Sequence, residues 1–263
     1  MSERAMGLRR FYHRLRGVAR PPSAAQPAAR PAGPDPWDMK GVNVDFVRHL
    51  TSVMPHQQAM EAAIGGGFEK FGPIQAATLR HYGLPRDGYL IDVGCGSGRL
   101  AGPMSQWLEG RYLGIDLVPD LVAHARKLAD RPNFRFEIID DIGIPEADGL
   151  ADMVCFFSVI THLLHEQSYL YLEEARRVLK PGGKIVFSFL EFADPSHMPV
   201  FRDTVKEARL RARHPLNVFV ERAAILAWAA ELDMVVEDIR GGLEEFVPEG
   251  PQGQATCVLR KPL

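Results

Sequence analysis

Tyr89-Leu90-Ile91-Asp92-Val93-Gly94-Cys95-Gly96-Ser97-Gly98-Arg99 is the stretch whose reading decides the fold. Tyr89–Val93 is a short, nearly continuous apolar run, the pattern of a strand buried on both faces of a sheet. It ends in alternating glycines, Gly94, Gly96 and Gly98. A backbone without Cβ atoms can turn sharply and come close to a ligand. The helical pattern that follows, Leu100–Leu108, would point its first free N–H groups at whatever is bound there.

Outward from this stretch, strand and helix patterns alternate. Tyr112–Ile115 reads as a strand, Leu121–Leu128 as a helix and Phe134–Ile139 as a strand. Met153–Phe157 is a strand, and Gln167–Leu179 is a helix stopped by Pro181-Gly182-Gly183 ahead of a strand over Lys184–Leu190. Such alternation implies right-handed crossovers and a parallel, doubly wound sheet with helices on both faces. After a helical insertion around Val200–Arg213, Glu221–Leu232 is helical. Met234–Ile239 and Gln254–Leu259 are then strands joined without a helix, which predicts an antiparallel pair at one edge. Residues 38–88 precede the sheet as a helical lead-in over Val44–Val53, His56–Ala63 and Ile74–Tyr82, with Gly65-Gly66-Gly67 between the last two. The division is thus a tail over 1–37, a helical, acceptor-side cap over 38–88 and the main domain over 89–263.

Across its 263 residues the chain is 46% hydrophobic and 24% charged, with 31 Lys+Arg against 33 Asp+Glu. These averages exclude collagen-like, disulfide-scaffold, wholly disordered and membrane-embedded classes. A net charge of −2 gives no basic field to attract a polyanion, so nucleic acid is not an expected partner. Cys95, Cys155 and Cys257 are scattered and form no CxxC or Cys/His cluster, so no metal site is expected and a reduced, cytoplasmic compartment fits. No apolar run approaches the roughly 20 residues that span a bilayer. The average hides a basic, Pro/Ala-rich segment over 1–37, with Arg4, Arg9, Arg10, Arg14 and Arg16 among its arginines. Its composition suits a solvated tail. Leu8, Phe11, Tyr12, Leu15 and Val18 at helical spacing offer a second reading, contact with an anionic membrane surface or a partner, and an Arg-rich organellar presequence is a third.

In an open parallel sheet, ligands bind beyond the carboxyl ends of the strands where the strand order reverses. Asp92 and Gly94–Gly98 stand there, joined by Asp116 after the second strand, Asp140 and Asp141 after the third, and Phe157 and Ser158 after the fourth. This set resembles the class I S-adenosylmethionine-dependent methyltransferases over roughly residues 70–260. The resemblance implies a Rossmann-like, seven-stranded sheet with the last strand antiparallel, S-adenosylmethionine as cofactor and S-adenosylhomocysteine as product. It puts the methionine-side loop on Asp92, Gly94, Cys95, Gly96 and Gly98, with Arg99 a candidate for the methionine carboxylate. The ribose acid falls on Asp116, beside Leu117, and the adenine-side acid on Asp140 or Asp141, beside Ile142. Phe157 closes the set. Leu179-Lys180-Pro181-Gly182-Gly183-Lys184 matches the turn before the fifth strand of that family. A nicotinamide dehydrogenase would need G-x-G-x-x-G, whereas Arg99 stands three residues after Gly96. Cys95 has no His paired to it in sequence and reads as a small loop residue rather than a nucleophile.

A sulfonium methyl is already electrophilic, so the protein must chiefly align an acceptor and exclude water. A hydroxyl acceptor also has to lose a proton. His162, in Ser158-Val159-Ile160-Thr161-His162-Leu163 past the fourth strand, is the leading base, with a loop-orienting role as its alternative. Glu191 and His197 are weaker candidates. The chain lacks the Asn/Asp-Pro-Pro-Tyr/Phe motif of base methylation after the fourth strand, the paired glutamates of arginine methylation and a carboxylate set for a divalent metal. The acceptor expected is a hydroxyl of a sugar, glycan or small natural product. Transfer to carbon or nitrogen of a small molecule or lipid, or a non-catalytic scaffold, are the alternatives.

Overall fold

A computed structural model describes residues 39–210 and 216–263. The tail over 1–37 and the end of the insertion, Arg211 to Arg213, lie outside the described residues. Three helices lead in: α1 (Met39–Val53), α2 (His56–Ala63) and α3 (Phe68–His81). The main domain runs β1 (Tyr89–Val93), α4 (Ala101–Trp107), β2 (Arg111–Asp116), α5 (Pro119–Ala129), β3 (Phe134–Ile138) and β4 (Ala151–Phe156). It continues through α6 (His165–Val178), β5 (Leu179–Phe189), α7 (Met198–Leu210), α8 (Arg222–Glu231), β6 (Val235–Arg240) and β7 (Ala255–Arg260).

The seven strands form one sheet in the order β3-β2-β1-β4-β5-β7-β6. β1 pairs in parallel with both β2 and β4, so the order reverses at β1 and a crevice opens beyond its carboxyl end. β7 is antiparallel to β5 and to β6, as the helix-free connection from Met234 onward predicts.

The period of two along a strand sends alternate side chains to opposite faces. Ile91, Leu113, Val154, Ile185 and Phe187 meet α6 and α8 through Leu172, Ala175 and Ile225. Leu90, Tyr112, Met153, Val186 and Val258 meet the helices on the other side through Leu79, Met104, Val122 and Ala125. A smaller cluster joins Val47, Leu50, Ala59 and Met60 of the lead-in to Val118 and Leu121. That cluster seats α1 and α2 beside the carboxyl end of β2, over the crevice.

Among the boundaries that differ from the sequence reading, two have a clear physical cause. The Pro181–Gly183 turn does not precede β5 but loops out within it. Ala151 pairs with Leu179 and the next pair is Met153 with Lys184, while Gly182 takes φ +76° to make the detour. Helix α3 begins six residues earlier than the periodicity suggests, because Gly67 in a left-handed conformation starts it and the chain carries helix through Pro73. Gly72 then allows α3 to approach the turn that leads into α4 closely: a Cβ there would lie 2.5 Å from the Arg99 carbonyl oxygen, a backbone atom with little freedom to retreat. Gly72→Ala should therefore destabilise the fold by about 1–3 kcal/mol in urea denaturation. It should also weaken S-adenosylhomocysteine binding, because the displaced element is the one that follows the glycine loop.

Candidate functional site

The loop after β1 is built around glycines in conformations that L side chains rarely adopt, with φ +71° at Gly94, +53° at Gly96 and +95° at Gly98. Space forbids side chains as well: a Cβ on Gly94 would lie 2.4 Å from Val159 Cγ2, and one on Gly96 2.7 Å from Ile64 Cγ2. Strand β2 holds this loop. The N–H groups of Gly94 and Cys95 both donate to the Ile115 carbonyl, at 2.8 and 3.0 Å. The Asp116 carboxylate accepts from Gly96 N at 2.9 Å and from Val118 N at 3.0 Å. Ser97 Oγ donates to the Met60 carbonyl at 2.7 Å and ties the loop to α2.

Arg99 extends that tie. Its Nη1 reaches the carbonyls of Ile64 and Gly66 at 3.3 and 3.2 Å, and its guanidinium lies 5.7 Å from the centre of the Phe71 ring. Burial lowers its pKa against the opposing pull of Asp92. It thus serves the end of α2 and forms no ion pair among the described residues, whereas the sequence suggested a ligand carboxylate or a surface salt bridge.

Asp92 is buried at the floor of the crevice. Tyr112 Oη donates to its Oδ2 at 2.5 Å and Cys155 Sγ lies 3.5 Å from Oδ1. Burial pushes the carboxyl up to about 7, against these two hydrogen bonds. Burial also raises Asp116, with its backbone hydrogen bonds opposing. The Cys95 thiol is driven up by burial and by the charges of Asp116 and Asp92, so it stays protonated, as a packing residue would.

A cavity of about 610 Å³ occupies the crevice. Asp92, Gly94, Cys95, Gly96, Arg99, Asp116, Leu117, Phe157, His162 and His197 all line it. Gly98, Asp140, Asp141, Ile142 and Glu191 do not. Gly98 instead lets the loop pack on α5, where a Cβ would sit 3.0 Å from Ala125 Cα. Asp140 is exposed and bound by Lys40 of α1, Asp141 is exposed, and Ile142 packs on the core, so Ile139 supplies the lining there.

The three acceptor-side candidates separate clearly. His162 sits on a single 3-10 turn, Ile160–His162, held by Val218 N donating to the Thr161 carbonyl at 2.7 Å. Its Nδ1 is hydrogen-bonded to the Leu216 carbonyl, an acceptor-only group, so Nδ1 carries a ring proton. Glu191 is fully buried and held by Arg222, whose Nε lies 2.9 Å from Oε2 and whose Nη2 lies 2.8 Å from Oε1. His197 is also buried, its Nδ1 3.0 Å from Glu191 N and 3.1 Å from Glu191 O, so one ring nitrogen braces the end of β5.

Sequence reading missed Phe71, Gln75, Gln252 and Gln254 in the lining, since glutamine in a loop or helix carries no local signal of a site. It also missed that Ser158 adopts φ +61°, a conformation unusual for a residue with a side chain. Ser158 N donates to Ser188 Oγ at 2.8 Å, and Gln254 Oε1 accepts from Ser188 Oγ at 2.6 Å.

Comparison with known proteins agrees with this geometry. Residues 91–187 match the family described as a methyltransferase domain. A ubiquinone biosynthesis O-methyltransferase of Xanthomonas oryzae pv. oryzae is 29% identical over 162 residues, which is 59% of this chain and 66% of that protein. A malonyl-[acyl-carrier protein] O-methyltransferase of Hahella chejuensis is 30% identical over 125 residues, 47% of this chain and 43% of that protein. In structure, the magnesium protoporphyrin IX methyltransferase of Synechocystis PCC 6803, solved with bound S-adenosylhomocysteine, superposes with a TM-score of 0.58 at 14% identity over 85% of this chain and 96% of that one. Residues 91–187 thus carry a methyltransferase domain, and the chain has the fold of the class I S-adenosylmethionine-dependent methyltransferases. The cofactor of that class fits the residues present, because the backbone of Gly94 and Gly96 and the carboxyls of Asp92 and Asp116 line one cavity of about 610 Å³.

The buried Asp92 gives a pH test. Its folded pKa lies above the usual carboxylate value of the unfolded chain, so between about pH 4 and about pH 7 the folded state holds the extra proton. Its contribution to stability is largest at acid pH, is lost progressively as pH rises through this window, and is flat above it. Asp92→Asn, which keeps an acceptor for Tyr112, should flatten the fall in urea-denaturation stability between pH 5 and 7 relative to the parent protein.

Proposed function

We propose that this protein transfers a methyl group from S-adenosylmethionine to a hydroxyl oxygen of a sugar, glycan or small natural product, with His162 as general base. The single observation that carries this reading is the placement of His162. It lies on the wall of the same cavity as the glycine loop, with its ring oriented through Nδ1 by a backbone carbonyl. The relatives from Xanthomonas oryzae and Hahella chejuensis, both O-methyltransferases, support oxygen as the atom methylated.

The bound cofactor supplies a methyl group already activated on a sulfonium. The rest is done by this chain. Gly94, Cys95 and Gly96, above Asp92, would hold the methionine end, Asp116 would accept from the ribose hydroxyls, and Leu117 and Ile139 would stand beside the adenine. Asp140, held by Lys40, ties α1 to the adenine end, with Asp141 and Ile142 behind it. Phe46, Ile64 and Phe157 line the cavity with apolar surface that keeps water from the reacting centre. His162 would take the acceptor proton as the methyl passes from sulfur to oxygen, the carbon–sulfur bond breaking as the carbon–oxygen bond forms, while His197 and Glu191 hold the end of β5 in place.

His162→Ala and His162→Gln should lower the rate of methyl transfer to hydroxylated acceptors by roughly 10²- to 10⁴-fold. Calorimetric affinity for S-adenosylhomocysteine should stay within a few-fold of the parent protein. Turnover left unchanged by both substitutions would rule out the base assignment.

A further inference from the structure

Three elements converge on the amide of Gln254. Ser158, two residues past β4, has φ +61°, a left-handed conformation that is unfavourable for a residue with a side chain. In that conformation its N–H donates to Ser188 Oγ of β5 at 2.8 Å. Ser188 is fully buried, so the hydroxyl that accepts this bond must also place its own proton. Gln254 Oε1, just ahead of β7, takes it at 2.6 Å, a separation that fits O–H···O and is short for N–H···O. Ser158 Oγ donates to the same oxygen at 3.3 Å. Turning the amide over would lose both bonds, so Oε1 is fixed toward the serines and Nε2 away from them.

Nε2 has no hydrogen-bond partner among the described residues, yet it is not shut in as Gln75 Nε2 and Gln252 Oε1 are. It keeps accessible surface, on a residue that lines the cavity. The amide is thus closed on its oxygen side and open on its nitrogen side, whereas a glutamine that only packed would be closed on both. In the sheet β7 stands three strands from β1, roughly 14 Å at ordinary strand spacing, so Gln254 approaches the turn past β4 from the side opposite the glycine loop. That turn reaches the reacting end of the cavity. His162 N donates to the Val159 carbonyl at 2.9 Å within it, and Val159 packs on Gly94.

An amide nitrogen is a donor only, so its counterpart in a ligand is an oxygen lone pair. Two hydroxyls donating into Oε1 polarise the amide and strengthen its N–H groups, which suits an oxygen that carries partial negative charge and no proton, as in a carbonyl. We propose that Gln254 is a specificity-determining residue whose Nε2 donates to a carbonyl oxygen of the acceptor, so that the molecule methylated carries a carbonyl as well as the hydroxyl that reacts. This rests on the methyl-transfer reading above and narrows its substrate class. Ser158 and Ser188 hold the amide in the orientation that makes the contact.

The test uses the full chain saturated with S-adenosylhomocysteine and two matched pairs of probes, each a hydroxylated ketone and its hydrocarbon twin: 3-hydroxyacetophenone with 3-isopropylphenol, and 4-hydroxycyclohexanone with 4-methylcyclohexanol. Dissociation constants are read by saturation-transfer NMR at about pH 8, where a carboxyl introduced in place of the amide is ionised. At least one ketone should bind the parent protein at millimolar concentration. Gln254→Glu keeps an acceptor oxygen for both serines but replaces the open N–H groups by a second acceptor, and Gln254→Met removes the amide altogether. For that ketone, each variant should lower the affinity ratio of ketone to twin by roughly fivefold or more, a double difference in which changes of folding or cavity shape common to both probes cancel. Calorimetric affinity for S-adenosylhomocysteine should stay within a few-fold of the parent protein. If Gln254→Met does not fold, because the Ser188 proton has lost its acceptor, Gln254→Glu carries the test alone. Binding of neither ketone, or an unchanged ratio in a folded variant, would overturn the proposal. So would a loss of S-adenosylhomocysteine affinity beyond roughly tenfold in every folded variant, which would put the amide on the cofactor. No heat on titration of the parent protein with S-adenosylhomocysteine would overturn the methyl-transfer reading and this proposal with it. Heat together with any of the adverse results overturns this proposal alone.

Discussion

The carboxyl end of β2 is the constraint on which the rest of the site depends. One carbonyl, Ile115 O, receives two successive N–H groups of the glycine loop, and the next side chain, Asp116, receives a third. These contacts exist because β1 and β2 run in parallel with Val93 beside Ile115, so both chains leave the sheet at the same level. A slip of one residue would turn Asp116 and its neighbours to the wrong face and empty both hydrophobic layers at once. The register is thus protected by the same apolar packing, of Ile91 and Leu113 on one face and Leu90 and Tyr112 on the other, that stabilises the domain.

Around that anchor the protein keeps polar groups in an apolar setting. Asp92 and Asp116 both have their carboxyls raised by burial, Arg99 is lowered by it, and Ser158 holds a left-handed backbone at the end of β4. Each is unfavourable taken alone. Together they mark the crevice as the place where local stability is given up to keep a fixed arrangement of donors and acceptors, the usual signature of a working site. Helices α1 and α2 belong to this arrangement, because Met60, Ile64 and Gly66 bind the loop from above while Val47 and Leu50 pack toward Val118 and Leu121.

Much of this was legible in order along the chain. The glycines after Tyr89–Val93, the alternation of strand and helix periods and the helix-free link near the end each follow from local rules: a residue needs φ above zero or it does not, and a run has period two or 3.6. The same local rules fail where the partner is distant. Glu191 looked like a candidate base, but Arg222, 31 residues on, binds both of its oxygens. The detour at Pro181–Gly183 depends on pairing with β4, and the early start of α3 depends on the close approach of Gly72 to Arg99.

The sequence by itself determined the class of fold and the place of the glycine loop at the end of β1, because glycine freedom and hydrophobic period act over a few residues. Only the tertiary structure decided which polar side chains share the cavity. It set His162 on the wall with its Nδ1 held by Leu216, took Glu191 away to Arg222, and brought Gln75 from the lead-in helices and Gln252 from near the end of the chain to one cavity. The reason is physical: a buried polar group is defined by the partner that satisfies it, and that partner is chosen by packing across the sheet rather than by neighbours in sequence.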